Sequence, residues 1–316
     1  MATVHCIGVL VVDALSGPLT QYPAPRIRTQ INTQSIRFMP GGGAANTGAA
    51  LGQLGISVAV FSKVGQDING AFLRKELRRS GVDVRNVRTS KTQTTPFTFV
   101  GIHPDGDRSF IHTPGCNLSF CPRDLRLHDV YGCRFLLYQD MFVLPQLDPG
   151  APELLAGARR QGIVTLLDEC YGLGPDRKVF EAALPQCDVV LPSFDDMLVM
   201  YPGLEPHAMA AMLRDKGARR VVLKLGRDGC LVLNDSGTLQ VPSCATEIVD
   251  TTGAGDCFNA GFIAGLANGL DDFQAAQAGA AAAAACIRHV GGAVGLPRYE
   301  ALLEPFMQRG HTAAHH

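Results

Sequence analysis

Val249-Asp-Thr-Thr-Gly-Ala-Gly-Asp-Cys-Phe-Asn-Ala-Gly261 is the stretch on which the reading of this chain turns. A strand-like approach meets a glycine-containing turn, and an apolar helix of small residues begins at once. The first amides of a helix have no internal acceptor, and the helix dipole adds about half a positive charge there, so a phosphate is a natural occupant. Gly253, Ala254 and Gly255 would form the anion hole, with Asp256 on the first helical turn directly behind it. A carboxylate so placed can take the proton of an attacking hydroxyl while the amides stabilise charge on a phosphoryl group in transfer. It can equally serve as a helix cap, a position that aspartate favours.

Outward from this stretch, strands are expected at Phe135–Tyr138, Val164–Leu167, Val189–Leu191 and Val221–Leu225, separated by helices at 152–161, 176–183 and 206–216. That βαβ rhythm predicts an α/β fold with a doubly wound, mostly parallel central sheet flanked by helices. The apolar run Val4–Val12 reads as one strand buried on both faces. It ends at Asp13, where open α/β sheets bind ligands. A small-residue helix is expected from Gly42 to Gly55, a strand at Ser57–Ser62, and a helix from near Asp67 to Gly81. Gly229–Leu239 reads as a hairpin, and 254–268 and 272–288 as consecutive helices, the second carrying six alanines at 280–285. Two stretches break the rhythm. Residues 26–38 and 94–112 mix polar and apolar positions as strands with one wet face do, and Pro104-Asp-Gly-Asp107 is a hairpin signal. Together they predict a small projecting β-sheet lid, over roughly 15–40 and 92–113 of a single domain spanning 1–316.

Composition narrows the function. Lys and Arg number 28 against 29 Asp and Glu, so there is no basic field to hold nucleic acid. The 316 residues, 46% of them hydrophobic, suffice for one large core. Ten cysteines lie scattered without a CxxC pair, which suits buried thiols in a reducing compartment. No apolar window reaches the ~18 residues of a membrane span, and Met1-Ala-Thr-Val-His5 carries no positive patch ahead of an apolar stretch. A cytoplasmic protein with no membrane partner is expected. His5, His103, His112, His128, His207 and His289 show no metal-ligand spacing.

A second glycine-rich run, Pro40-Gly-Gly-Gly-Ala-Ala-Asn-Thr-Gly-Ala-Ala-Leu-Gly52, predicts a tight turn into a helix with Asn46 on its first turns. Glycines admit a ligand close to the backbone, and an amide can both donate to and accept from sugar hydroxyls. With this run the sequence resembles the ribokinase-like (PfkB-type) carbohydrate kinase family. Gly41–Gly55 resembles that family's first signature and Asp250–Phe262 its second, with Val64-Gly-Gln-Asp-Ile-Asn-Gly70 between them. The resemblance covers roughly residues 4–298 and implies an ATP- and Mg2+-dependent kinase acting on a hydroxyl of a sugar or sugar-like molecule.

By that resemblance Asp256 is the base and Gly253, Ala254 and Gly255 the anion hole. Asp13, Gly42, Gly43 and Asn46 match positions that hold the acceptor's hydroxyls, and Asp140 stands near where sugar-specific relatives place a polar contact. Lys224, Gly226 and Gly229 resemble the phosphate-side turn of the ATP site. Asp250 and Thr252 match a monovalent-cation site, K+ in many members. One departure stands out. Where the family has Asn-x-x-Glu, which helps to organise Mg2+ and its waters, this chain has Ser193-Phe-Asp-Asp196. Ser193 lacks an amide, and Asp196 is one methylene shorter than glutamate, so outer-sphere Mg2+ binding falls to Asp196 with a weaker set of groups. A homodimer through lid edges is also implied. Alternatives are a nucleoside kinase of the same fold and a sugar- or nucleotide-sensing relative without catalysis. A dinucleotide oxidoreductase is disfavoured, because Asp13-Ala-Leu-Ser-Gly-Pro18 is no pyrophosphate-binding glycine fingerprint.

Overall fold

A glycine decides how the chain leaves its first strand. The computed structural model describes residues 2–17, 19, 32–103, 108–170 and 174–302. The run 4–12, expected as one strand, divides at Gly8, where a Cβ would come within 2.5 Å of an Asp140 carboxylate oxygen. Strand β1 is Val4–Ile7 and β2 is Val11–Ser16, and the two belong to different sheets. The remaining strands are β3 (Ile36–Gly41), β4 (Val58–Gly65), β5 (Val82–Asp83), β6 (Val87–Ser90), β7 (Phe97–Ile102) and β8 (Arg108–Thr113). They continue with β9 (Phe135–Met141), β10 (Val164–Glu169), β11 (Val189–Val190), β12 (Val221–Lys224), β13 (Cys230–Asn234) and β14 (Gly237–Val241).

The large sheet runs β14-β13-β12-β11-β10-β9-β1-β4-β5, with β6 beside β4. Pairing is parallel from β5 across to β12, and antiparallel at β12–β13 and β13–β14. Side chains alternate between two cores. Val4, Cys6, Leu137, Leu166 and Val222 pack with the helices Gly43–Gln53, Ile68–Arg79, Ala254–Ala267 and Asp272–Cys286. Ile7, Leu136, Tyr138, Leu167, Val221 and Leu223 pack with Ala151–Arg160, Arg177–Ala183 and Pro206–Asp215 on the other face. Helices on both faces are what bury a parallel sheet. From β1 the chain works outward to β4 and β5, and from β9 outward to β14. The order therefore reverses between β1 and β9, and crevices at the carboxyl ends of such strands are where open α/β sheets take ligands.

Helices Ala254–Ala267 and Asp272–Cys286 lie unusually close. A Cβ on Gly261 would fall 2.5 Å from Ala278 O, one on Gly265 2.8 Å from Ala275 Cα, and one on Gly279 2.9 Å from Phe258 O. The small residues of the second helix are therefore a contact face, buried at Ala275, Ala276, Ala278, Ala280 and Ala282.

The second sheet has the order β3-β2-β7-β8, with β2–β7 parallel and both outer pairs antiparallel. Its existence was legible; its composition was not. Asp13 sits within β2 of this sheet, and not at the tip of a main-sheet strand. The wet-faced strand expected over 26–38 starts only at Ile36, and residues 26–31 lie outside the described residues, as does Pro104–Asp107. The sequence reading also missed β5, β6 and the helix Phe194–Met200.

Candidate active site

Helix Ala254–Ala267 begins from Gly253, whose φ of 73° is the left-handed conformation glycine tolerates. A Cβ there would also sit 2.9 Å from Gly292 Cα. No side chain caps this helix. Among the described residues, no protein acceptor meets the amides of Gly255 and Asp256. Helix Gly43–Gln53 likewise begins from a glycine, Gly42, with φ 88°. Its start, however, is plugged. Asp140 Oδ1 accepts from Gly43 N (3.0 Å), and Oδ2 accepts from Ala44 N (3.3 Å) and Val9 N (2.8 Å). Asp140, expected among the acceptor contacts, thus has both oxygens engaged by backbone and is 7% exposed. It ties β1's exit to β9's end from a left-handed φ of 59°. Burial outweighs those amides and lifts its carboxyl to about 7.

Asp256 is half-buried behind the open turn and held from two sides. Asn46 Nδ2 donates to its Oδ2 (2.8 Å), and Gln139 Nε2 donates to its Oδ1 (2.8 Å). Gln139 Nε2 also reaches Thr47 Oγ1 (2.8 Å), whose hydroxyl donates to the backbone O of Asp256 (3.2 Å). Gln139, 1% exposed at the end of β9, was not singled out from sequence; its place at the carboxyl end of a central strand was the available signal. Burial raises the Asp256 carboxyl to about 8, with Asp140's charge adding, while the Asn46 hydrogen bond and Lys224 pull it back. A carboxyl poised there suits proton transfer near neutral pH.

Lys224 stands at the end of β12, its ammonium 2.9 Å from Asp168 Oδ1 and 3.5 Å from Asn259 Oδ1. Asn259 Nδ2 donates to the other Asp168 oxygen, which fixes that carboxylate. Burial works against the Lys224 charge, yet Asp168, Glu169 and Asp256 together hold its pKa above the ordinary value. A side chain built on Gly255 would begin 3.5 Å from Lys224 Nζ, so the ammonium lies against the open turn. Gly226 (φ 56°) and Gly229 (φ 86°) form the turn that follows, Leu225 N donating to Gly229 O.

Ser193 joins this group by pairing with Lys224, and its backbone N–H donates to Glu169 Oε1 (3.0 Å). Asp195 is exposed, whereas Asp196 is half-buried and its charge acts on Glu169. Asp250 accepts from Thr252 N (2.8 Å) and Gly291 N (2.8 Å), joining its turn to the loop after helix Asp272–Cys286. On the second sheet, register places Asp13 beside Thr98 and Thr98 beside His112. Thr98 Oγ1 lies 3.0 Å from His112 Nδ1 and also hydrogen-bonds Asp13. Burial raises Asp13 to about 6 against the opposing Thr98 bond.

The family model for pfkB family carbohydrate kinase matches residues 3–298, and the chain belongs to that family. It is 28% identical over 277 residues to an ATP-dependent 6-phosphofructokinase of Thermoanaerobacterium thermosaccharolyticum, 81% of each chain. It is 29% identical to the aminoimidazole riboside kinase of Salmonella typhimurium, covering 71% of this chain and 72% of that one. In fold it is similar to Arabidopsis thaliana ribokinase solved with ribose and ATP: TM-score 0.84, 22% identity, 96% of this chain and 98% of that. An E. coli neighbour solved with ATP and Mg2+ gives TM-score 0.82 at 23% identity, covering 98% and 100%. The fold is ribokinase-like, and the protein is a phosphotransferase that moves phosphate from ATP to an alcohol group of a sugar-like acceptor.

Proposed function

We propose that Asp256 is the base of this transfer, that the amides of Gly253, Ala254 and Gly255 receive the phosphoryl group, and that the acceptor is a sugar or sugar acid held under the second sheet. The carrying observation is the doubly held Asp256 carboxylate beside uncapped helix amides. The acceptor oxygen attacks the γ-phosphorus, its new O–P bond forms as the β,γ-bridging P–O bond breaks, its proton passes to Asp256 and ADP leaves. Asn46 and Gln139 keep the carboxylate turned toward the attacking oxygen. Gly42 and Gly43, whose missing side chains make room for Val9 O and the Asp140 carboxyl, shape the turn beside the acceptor, and Asp13, steadied by Thr98, takes acceptor hydroxyls. Lys224, with Ser193 and the Gly226–Gly229 turn, lines the phosphate side of ATP. Asp196 would help to hold a Mg2+ ion through its waters, and that ion would supply charge neutralisation of the phosphates. A K+ ion at the Asp250–Thr252 turn belongs to the same reading.

The whole chain, by this proposal, works as one unit in which the second sheet closes over the acceptor and excludes water, itself a competing nucleophile. The opposite face of that sheet presents Ile36, Phe38 and Ile111, 50%, 56% and 62% exposed, which favours a homodimer through the lids. Ten free thiols fit a cytoplasmic setting, and among the described residues no helix is long and apolar enough to cross a membrane. A nucleoside acceptor is the second reading, favoured by a cavity of about 460 Å³ beside Asn46 with Phe38, Met39, Phe72 and Val294 on its walls. ADP release measured over a panel of sugars, sugar acids and nucleosides decides between them. ATP binding without turnover of any acceptor would sink the catalytic assignment.

A further inference from the structure

Beyond the groups already assigned, one buried oxygen beside the phosphate side of the site has nothing to bind. Glu169, at the end of β10, is 6% exposed. Its Oε1 accepts from Ser193 N (3.0 Å), but Oε2 has no hydrogen-bond partner. Leaving a carboxyl oxygen buried and unpaired forfeits its solvation without return, so such an atom calls for a missing partner. The charges around it define that partner's sign. Asp168 and Asp196 repel it, and Lys224 is the cation acting on it. Lys224 is itself committed to Asp168 at 2.9 Å and also answers Asp256. Carboxylates therefore outnumber the ammonium where a tetra-anionic nucleotide must come. A hard divalent cation with bound waters satisfies both, giving Oε2 a donor and bridging the acid groups to phosphate.

We infer that Glu169 is a magnesium-organising residue of this site, its free oxygen accepting from the water shell of the nucleotide-bound cation together with Asp196. This rests on the kinase reading above and goes beyond it, since Glu169 lies outside the Ser193–Asp196 stretch that carries the departure from the family pattern. Among the described residues no His, Cys, Asp or Glu cluster of three forms a direct metal cage, which agrees with an ion held through waters and phosphates. The Ser193 side chain cannot donate as an amide does, and its backbone N–H is what aims Glu169. The reach that the shorter Asp196 side chain lacks is thereby supplied from the neighbouring strand.

The test uses the intact protein with Mn2+ and a non-hydrolysable ATP analogue, reading free Mn2+ by electron paramagnetic resonance. Glu169→Gln preserves an acceptor for Ser193 N and should weaken Mn2+ binding in the ternary complex by about 10- to 100-fold, the range for outer-shell metal partners. Metal-free analogue binding should stay within about twofold of the parent. Asp195→Asn, an exposed charge on the same helix, should leave Mn2+ affinity unchanged. Mn2+ binding in Glu169→Gln equal to the parent would overturn the assignment. An equal loss in Asp195→Asn would overturn it too, by reducing the effect to overall charge. A parent that binds Mn2+ through Glu169 yet phosphorylates no acceptor would sink the kinase reading and leave this assignment standing.

Discussion

Two helices of this protein start in the same way and are used in opposite ways. Helices Gly43–Gln53 and Ala254–Ala267 both begin from a glycine with positive φ, without a side-chain cap, and they meet through Asn46 and Asp256. At the first, Asp140 supplies an internal carboxyl that accepts from the free amides. At the second, the Ala254 amide donates to Thr251 O (3.2 Å) but those of Gly255 and Asp256 face no protein acceptor among the described residues, and the neighbouring carboxylate is held by Asn46 and Gln139. Under the proposed function, the difference teaches that a helix start becomes a phosphate site by omission: one terminus is satisfied by the chain's own aspartate and its neighbour is left to the substrate.

The comparison breaks most severely at the open start. Asp256→Asn should lower kcat by roughly 10²- to 10⁴-fold, the range for loss of a general base, with ATP affinity kept; steady-state kinetics and nucleotide titration check both. At the plugged start the expected damage is to stability. Asp140→Ala leaves the amides of Val9, Gly43 and Ala44 without their acceptor and should cost about 3 kcal/mol in chemical denaturation, on the scale of buried unpaired donors.

The two carboxyls also separate by pH. Both have folded pKa values above the ordinary one, about 7 for Asp140 and about 8 for Asp256, so the folded chain keeps protons that the unfolded chain releases near pH 4. Their contribution to stability is full below that point and is lost as pH rises through about 7 and 8. With Asp256 as the proposed base, activity should run the other way, since the base must be ionised: kcat/KM should climb about tenfold per pH unit up to about 8 and then level. Opposite slopes in thermal melts and kinetics between pH 6 and 8.5 sharpen the contrast; parallel slopes would break it. The smallest effect is expected where a helix start is sealed conventionally. Asp271 accepts from Gln274 N at the start of helix Asp272–Cys286, and Asp271→Ala should cost about 1 kcal/mol in melts with kinetics unchanged.

What the sequence displayed of this arrangement follows from what is local. The strand–helix alternation, the glycine turns before residues 43 and 254, and Asp256 behind its turn are properties of neighbouring residues, and helix boundaries fell within a residue or two. Asp140's position was visible but its use was not, because its partners at Val9, Gly43 and Ala44 are 131, 97 and 96 residues away. Gln139 and Asp168 were hidden for the same reason: each sits in an apolar strand and shows its purpose only when Asp256 or Lys224 arrives from another part of the chain. Gly8 misled by its context. An apolar residue on each side made 4–12 look continuous, whereas the missing side chain there makes room for the Asp140 carboxylate and lets the chain change sheets.

The near-touching backbones at Gly261, Gly265 and Gly279 bear on which parts can move. Helices interlocked at that spacing cannot slide or tilt without driving main-chain atoms together, so Asp256 rides on an anvil. Under the proposed function, the part left to close over the reactants is the four-stranded sheet. A single methyl group added at position 261 would be felt at the reacting oxygen before any residue of the cleft had changed.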